Sequence, residues 1–453
     1  MGQTKIYDVG IIGGGVVGTA IPYVLSNYTN VGSIFLLEKY SGVGQLNSGV
    51  DKNSQTLHFG DIETNYRLDK ALQVKKAGTM VANYACIHGL DVIFQRLNKM
   101  VLAVGPEVPE LLQRFTEFKP RYSGLELLDR NAIAKLEPKI VEGRDSDEEI
   151  MAIDSPDGHA ISFQELSRSF MENTAKSCKG FDISLGTSVK RISRAKLSYA
   201  YLVETNKGSF MAKTIIVAAG SHSLVLAHRM NLFNEYTLLP IAGSFYISGR
   251  VLNGKVYTMQ DPDIPFAAPH GDPPFHHPDQ TRWGPTAKLI PFLERHSPST
   301  FFDFLEVLPD TPDRWLGLLE MTLFNRKLSA YMAKNLLYDL PVIGKELYLQ
   351  KVKKIVPTMK YRNLQFGKGI GGLRPQMINT EERRIIYGLK LLVDNGIIFN
   401  IAPSPGGSAC LQNAKENVIR LVAHLNTLNP GRYSFDEDKF KKELEAEIYS
   451  GAA

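Results

Sequence analysis

The sequence predicts an α/β fold with a Rossmann-type nucleotide-binding domain at its start, and three observations carry that prediction. The apolar run KIYDVGII (5–12) leads directly into Gly13-Gly14-Gly15-Val16-Val17-Gly18. A second apolar run, SIFLLEK, ends at Glu38, 20 positions after Gly18. Further strand-like runs, AKTIIVAAGS (212–221) and KLLVDNGIIFNIAPSPGG (390–407), return far along the chain. Gly13 permits a tight turn, Gly15 lets backbone approach a pyrophosphate, and Gly18 lets the next helix pack on the strand. Glu38 can accept hydrogen bonds from ribose hydroxyls. A second match to the glycine pattern, Gly367-Lys368-Gly369-Ile370-Gly371-Gly372, precedes Arg374-Pro375, where no helix can continue.

Taken in order, residues 5–12 and 33–39 read as parallel strands around a helix at about 14–27, in which Pro22 removes one backbone bond. FDISLGTSVKRI (181–192) and YAYLVET (199–205) read as a strand pair feeding the run at 212–221. Two short strands, a turn and a small-residue loop fill 390–407, and ACLQNAKENVIRLVAHLNTL (409–428) reads as a helix. The intervening stretches mix strands with Pro-rich loops such as 261–280, and a helical run at about 300–336 covers a face of the second domain. SFDEDKFKKELEAEIYS (434–450) reads as a charged amphipathic helix on the solvated surface. The expected domains are therefore 1–84, 150–235 and 365–430 for the nucleotide, 85–149 and 236–364 as a mixed α+β substrate domain, and 431–453 as a tail helix.

Composition excludes several classes. Hydrophobic content of 43% and charged content of 22% are those of a globular protein too long for one small core. A net charge of +5 favours anionic substrates or an acidic membrane surface, and without a basic block it gives no nucleic-acid footprint. Cys86, Cys178 and Cys410 are far apart, which argues against a disulfide framework and fits a reducing compartment. No metal site is expected, because His276-His277 lacks a third ligand at suitable spacing. The first strand begins at once, leaving no room for a signal peptide, and no run of 18 apolar residues exists. A cytoplasmic protein with at most peripheral membrane contact is the expectation.

Placement of the segments selects the nucleotide. A nicotinamide enzyme completes its site soon after the first βαβ unit, whereas here three distant segments would clasp one cofactor, which suits FAD. The candidate cofactor-binding residues are Gly13, Gly15, Gly18, Glu38 and Lys39; Asn53, Ser54, Gln55 and Thr56; Val189, Ala219 and Gly220; and Pro405, Gly406, Gly407, Ser408 and Ala409. Backbone N–H groups of PSPGGSA (403–409), opening the 409–428 helix, can stabilise negative charge on a reduced flavin. Cys410 reads as a small packed thiol.

Five stretches carry a resemblance: the fingerprint ending in LLEKY; NSQTLHFGDIETNY (53–66); LPIAGSFY (239–246); PFAAPHGDP with TRWGPTA (265–273, 281–287); and GGLRPQ with PSPGGSACLQNA (371–376, 403–414). The chain resembles the amino-acid oxidase-type flavoproteins, and within them it is similar to the malate:quinone oxidoreductase family, near 2-hydroxyglutarate dehydrogenase. That resemblance implies oxidation of L-malate or a related dicarboxylate, with FAD as hydride acceptor. It also implies electron transfer to membrane quinone by a protein peripheral on the inner face of the cytoplasmic membrane.

Such chemistry needs a carboxylate clamp and a base. Arg374, in GGLRP, suits the clamp because its planar fork pairs bidentately with a carboxylate, and Arg282 is a candidate second cation. For the base, histidine titrates near neutrality. His270 is the leading candidate, with Asp272 to orient the ring or stabilise its cation, and His58 in NSQTLHFG is its rival. Three other readings remain open: a 2-hydroxyglutarate or other 2-hydroxy acid dehydrogenase or oxidase, a nicotinamide-dependent dehydrogenase, and a flavin-bound partner protein without turnover.

Overall fold

A parallel sheet grows outward from the strand Ile6–Ile12. Its neighbours are Gly208–Val217 on one side and Ile34–Leu37 on the other, and all three lie parallel. Phe181–Ser184 extends the sheet beyond Ile34–Leu37, while Ile397–Ile401 joins the far end of Gly208–Val217 in parallel. Lys390–Asp394, Tyr201–Thr205 and Val189–Arg194 complete eight strands through antiparallel pairs. Continuous apolar runs such as IYDVGII are what a sheet covered on both faces requires. The computed structural model describes residues 5–156, 158–195, 199–260, 269–340, 342–386, 390–401 and 405–446. Parts of two stretches read above, 265–268 and 403–404, lie outside them, as do 447–450 of the tail.

The mixed α/β architecture matches the sequence prediction, with one difference in this sheet. Residues 181–192 are not one strand of a pair. Phe181–Ser184 and Val189–Arg194 sit at opposite edges of the sheet. The chain reverses at Gly186, whose φ of 62° is open to glycine, and Thr187 then donates to the Glu38 carbonyl. The first helix, Val16–Tyr28, runs through Pro22 and packs on Phe163–Ser177 and Cys410–Leu428. It approaches the sheet so closely that a Cβ on Gly18 would lie 2.0 Å from the Gly13 carbonyl oxygen.

Two further sheets form the other body. One runs from Gln365–Phe366 through Tyr246–Gly249, Gln280–Gly284, His270–Asp272, Lys255–Thr258 and Lys99–Val104 to Ile150–Ser155 and Glu126–Leu128. The other has Tyr236–Ala242 paired along its length with Leu373–Asn379. These pairings cross the boundaries expected at 149/150 and 364/365, because a strand partner is chosen by burial and not by distance along the chain. The run at 300–336 is three helices, Phe301–Leu305, Pro312–Thr322 and Arg326–Leu337. Leu328 and Met332 pack on Leu239, Ile241 and Ile378 of the second of these sheets.

The tail corrects the sequence reading. Among the described residues of the tail only Glu437–Phe440 is α-helical, followed by one wide turn at Lys441–Glu445. Phe440 and Leu444 are fully buried against the first core. The Tyr28 hydroxyl donates to Glu443 at 2.8 Å, and the Asn83 amide donates to the carbonyls of Leu444 and Ala446. An amphipathic pattern looks the same whether its apolar side meets protein or solvent, so the sequence could not separate the two. Among the described residues no helix is long and apolar enough to cross a membrane. Phe440→Ala should cost about 3–5 kcal/mol, read as a lower urea midpoint, because it opens a core cavity. A shift within about 0.5 kcal/mol would return the tail to the solvated surface.

Candidate active site

One cavity of about 460 Å³ is bounded by all three distant segments. At one end the sequence Gly13-Gly14-Gly15 turns sharply, with Gly13 at φ 109° and a Cβ there only 2.4 Å from the Ala218 carbonyl oxygen. The Gly14 N–H donates to Glu38 Oε2 at 2.6 Å and the Tyr40 N–H to Oε1 at 2.8 Å. Burial raises the Glu38 pKa, and these two N–H groups oppose the rise. A Cβ at Gly15 would meet only Ser48 Oγ at 3.6 Å, so the space over the helix N-terminus is open. The first turn of that helix carries no acidic side chain. An anionic pyrophosphate fits this cradle on both charge and room. Val189, Ala219 and Gly220 line the same end.

The other end is lined by His58, Arg374, Gly372 and the 405–408 loop. Arg374 lies opposite Ile241 in its strand pair. No carboxylate partners its guanidinium among the described residues. Its surroundings are phenolic: burial lowers the Arg374 pKa, and Tyr257, Tyr331 and Tyr66 counter that only in part. His58 is held by two groups. Its Nδ1 is hydrogen-bonded to Glu63 Oε1, and its backbone N–H donates to Ser408 Oγ at 2.9 Å. Burial opposes charge on Glu63, but the attraction of His58 outweighs it and keeps the carboxyl below the usual range. Arg114 fixes this loop by donating to the carbonyls of Glu63 at 2.7 Å and Tyr66 at 3.0 Å.

His270, Asp272 and Arg282 do not line this cavity. They sit behind it, each at most 2% exposed. Arg282 does not offer a free fork. Its Nη2 donates to Asp272 at 2.7 Å and to the Ser54 carbonyl at 3.0 Å, and Nη1 donates to the Asn53 carbonyl at 2.9 Å. Lys255 donates to Thr56 Oγ1 at 2.5 Å and the Ser54 carbonyl at 3.0 Å, and lies 3.4 Å from Asp272. Asp272 is therefore shared by two cations. Burial would raise its pKa, yet Arg282 and Lys255 hold it well below the carboxylate range. Burial in turn pushes Lys255 down to about 8. His270 Nε2 is 3.8 Å from Asp272, and its ring packs on Tyr257 at 4.7 Å.

The remaining candidates divide in the same way. Asn53, Ser54, Thr56, Pro405, Gly406, Gly407 and Ser408 line the cavity, whereas Gln55, Gly18 and Ala409 do not. The Gln55 amide oxygen accepts the Phe275 N–H instead. Lys39 reaches the wall, but its ammonium is ion-paired with Glu294. Cys410 is buried, and burial pushes its thiol up to about 12, so it is an inert packed group. The residues that sequence reasoning missed are Glu63, Lys255 and Tyr257. Glu63 had a signal, since a carboxylate follows His58 by five positions in HFGDIE. Asp272→Asn should destabilise the protein by about 3–5 kcal/mol, because two buried cations lose their counter-charge. Unfolding in urea reads this, and a variant as stable as the parent would show that Asp272 does not brace the wall.

Comparison with known proteins bears on the whole chain. Residues 5–419 match the family model "Malate:quinone oxidoreductase (Mqo)". The chain is 37% identical to the "Probable malate:quinone oxidoreductase" of Campylobacter jejuni, over 97% of this chain and 99% of that one. It is also 37% identical to the "Malate:quinone oxidoreductase" of Helicobacter pylori, over 97% and 98%. Among solved structures, L-alpha-glycerophosphate oxidase from Mycoplasma pneumoniae with FAD bound superposes with a TM-score of 0.64 at 19% identity, covering 92% of this chain and 95% of that one. Glycine oxidase from Geobacillus kaustophilus gives 0.61 at 18%, covering 96% and 98%. Those two share the fold. With a family match over residues 5–419 and relatives of this identity, the chain belongs to the malate:quinone oxidoreductase family.

Proposed function

We propose that this chain oxidises L-malate to oxaloacetate, with FAD held in the cavity and quinone as the final oxidant. The observation that carries the reading is one cavity lined by a nucleotide cradle, by a histidine–carboxylate pair and by an arginine that has no carboxylate partner among the described residues. When bound, FAD supplies the hydride acceptor. Arg374 binds a substrate carboxylate, which supplies a counter-ion that the described residues do not provide. Glu63 occupies Nδ1 of His58, so Nε2 is the nitrogen left to take the hydroxyl proton, and Glu63 stabilises the resulting imidazolium. Tyr257 and the buried Arg282–Asp272–Lys255 group keep water and stray charge out of the wall behind. His58 is thus the proposed base, in preference to His270.

L-Malate is preferred over 2-hydroxyglutarate because it is the substrate in the names of the family and of its relatives. One methylene is worth only about 1–3 kcal/mol in a pocket, so a residual rate with the longer acid fits the same site. Quinone is lipid-borne, which makes a peripheral association with the cytoplasmic membrane part of this reading.

Anaerobic L-malate should bleach the flavin of the purified protein, and a flavin that stays oxidised overturns the proposal. His58→Asn should slow that bleaching by about 10²–10⁴-fold with little change in malate affinity. Arg374→Met should instead weaken malate binding by about ten- to a hundredfold, the loss of a charge-assisted pair. An equal slowing in His270→Asn and His58→Asn, measured by stopped flow, would remove His58 from the role of base.

A further inference from the structure

A second groove, of about 430 Å³, lies against the wall of the cavity. Phe292, Phe366, Arg295, His296 and Asp339 are among the residues that line it. The partition between the two spaces is made of glycines. Gly243 and Gly372 line the main cavity, and the Gly243 N–H donates to the Gly372 carbonyl at 3.1 Å. On the groove side, His296 Nε2 lies 3.3 Å from the Gly371 carbonyl. A Cβ on Gly371 would sit 2.0 Å from the Gly243 carbonyl oxygen, so no side chain can thicken the partition. Backbone at Gly243, Gly371 and Gly372 therefore runs between residues that line the cavity and residues that line the groove.

The polar groups of the groove are only partly used. Arg295 donates through Nη2 to Ser244 Oγ at 2.6 Å, while its buried Nε and Nη1 have no hydrogen-bond partner among the described residues. Asp339 is paired with Lys288 and accepts from Ser244 Oγ at 3.0 Å. Arg295, Phe292 and Phe366 put a guanidinium and two aromatic side chains on the lining of the groove, which fits a flat ring carrying carbonyl oxygens.

Asp339 also connects the groove to the surface. It belongs to the turn between the helices Arg326–Leu337 and Ile343–Ile355. That corner exposes Leu336, Leu337, Leu340, Val342 and Ile343, with Val342 at 71% and Ile343 at 58%. Single exposed aliphatic side chains are ordinary, but five in one corner are not. Lys334 and Lys345 flank it in sequence and supply charge complementary to anionic headgroups.

We propose that this groove binds the ring of the quinone, and that the apolar corner beside it rests in the bilayer surface so that a lipid-borne quinone can reach it. The proposal rests on the function given above. Malate oxidation supplies two electrons and two protons. The quinone takes the electrons through the glycine partition and two protons from the solvent side, leaving as the quinol.

The test uses the full-length holoenzyme. A photoreactive azidoquinone should label peptides containing Phe292 or Phe366, and an unlabelled short-chain quinone should suppress the label. Labelling confined to other peptides, or label displaced by L-malate and not by quinone, overturns the proposal. Phe366→Ser should bleach with L-malate at the parent rate while quinone reduction falls about tenfold, the effect of losing one buried aromatic contact. Unchanged quinone reduction counts against the site. The double variant Leu337→Asp, Ile343→Asp should no longer sediment with vesicles of phosphatidylethanolamine and phosphatidylglycerol, and sedimentation like the parent overturns the membrane face. If L-malate does not bleach the parent protein, the proposed function fails by itself, and the label map still decides the groove.

Discussion

Two buried cations, Arg282 and Lys255, share the single carboxylate of Asp272 and give their other hydrogens to the carbonyls of Asn53 and Ser54 and to the Thr56 hydroxyl. The residues they hold form one wall of the cavity and lead directly into His58. Buried ions of this kind contribute little net stability, since desolvation consumes most of the attraction. What they contribute is position. Arg282 lies on a strand of the large sheet of the second body, while Asn53, Ser54 and Thr56 line the cavity, so this cluster ties that sheet to the wall that leads into His58.

Around that tie, work is divided between charge that is satisfied and charge that is not. Lys39 is matched by Glu294, Lys288 by Asp339, and Arg282 by Asp272. Arg374, among the described residues, has phenol rings and no carboxylate for company. An arginine kept without a counter-ion is costly in a folded protein, and it is tolerated where a ligand supplies the missing charge. The same logic applies to His58, whose one occupied nitrogen fixes the direction of the other.

Much of this was legible in sequence because it is local. The fingerprint glycines, the strand before them and Glu38 sit within 35 residues, and their geometry is dictated by backbone sterics alone. Arg374 was legible because it follows glycines in a strand that must approach the cavity. The roles of the histidines were not. His270 has Asp272 two residues away, which suggests a pair, yet Asp272 is claimed by Arg282 and by Lys255 from a neighbouring strand. His58 looked plain because its partner acts across a short loop whose path is set by Arg114, over 50 positions downstream. The split of 181–192 into two strands escaped notice for a similar reason: both halves suit a strand, and only the edges they pair with tell them apart.

The tail on the first core has a consequence for how the molecule is made. The Tyr433 hydroxyl donates to Asp8 in the first strand, the Asp436 N–H donates to the Tyr28 carbonyl, and Ile397–Ile401 completes the edge of the strand Gly208–Val217. A nascent chain therefore carries an unfinished sheet edge from the synthesis of Gly208–Val217 until Ile397–Ile401 is made, a state prone to pairing with other chains. Closure of the nucleotide site waits for residues 397–401 and 405–408, so folding is governed by contacts of very long sequence separation and should be slow for its size.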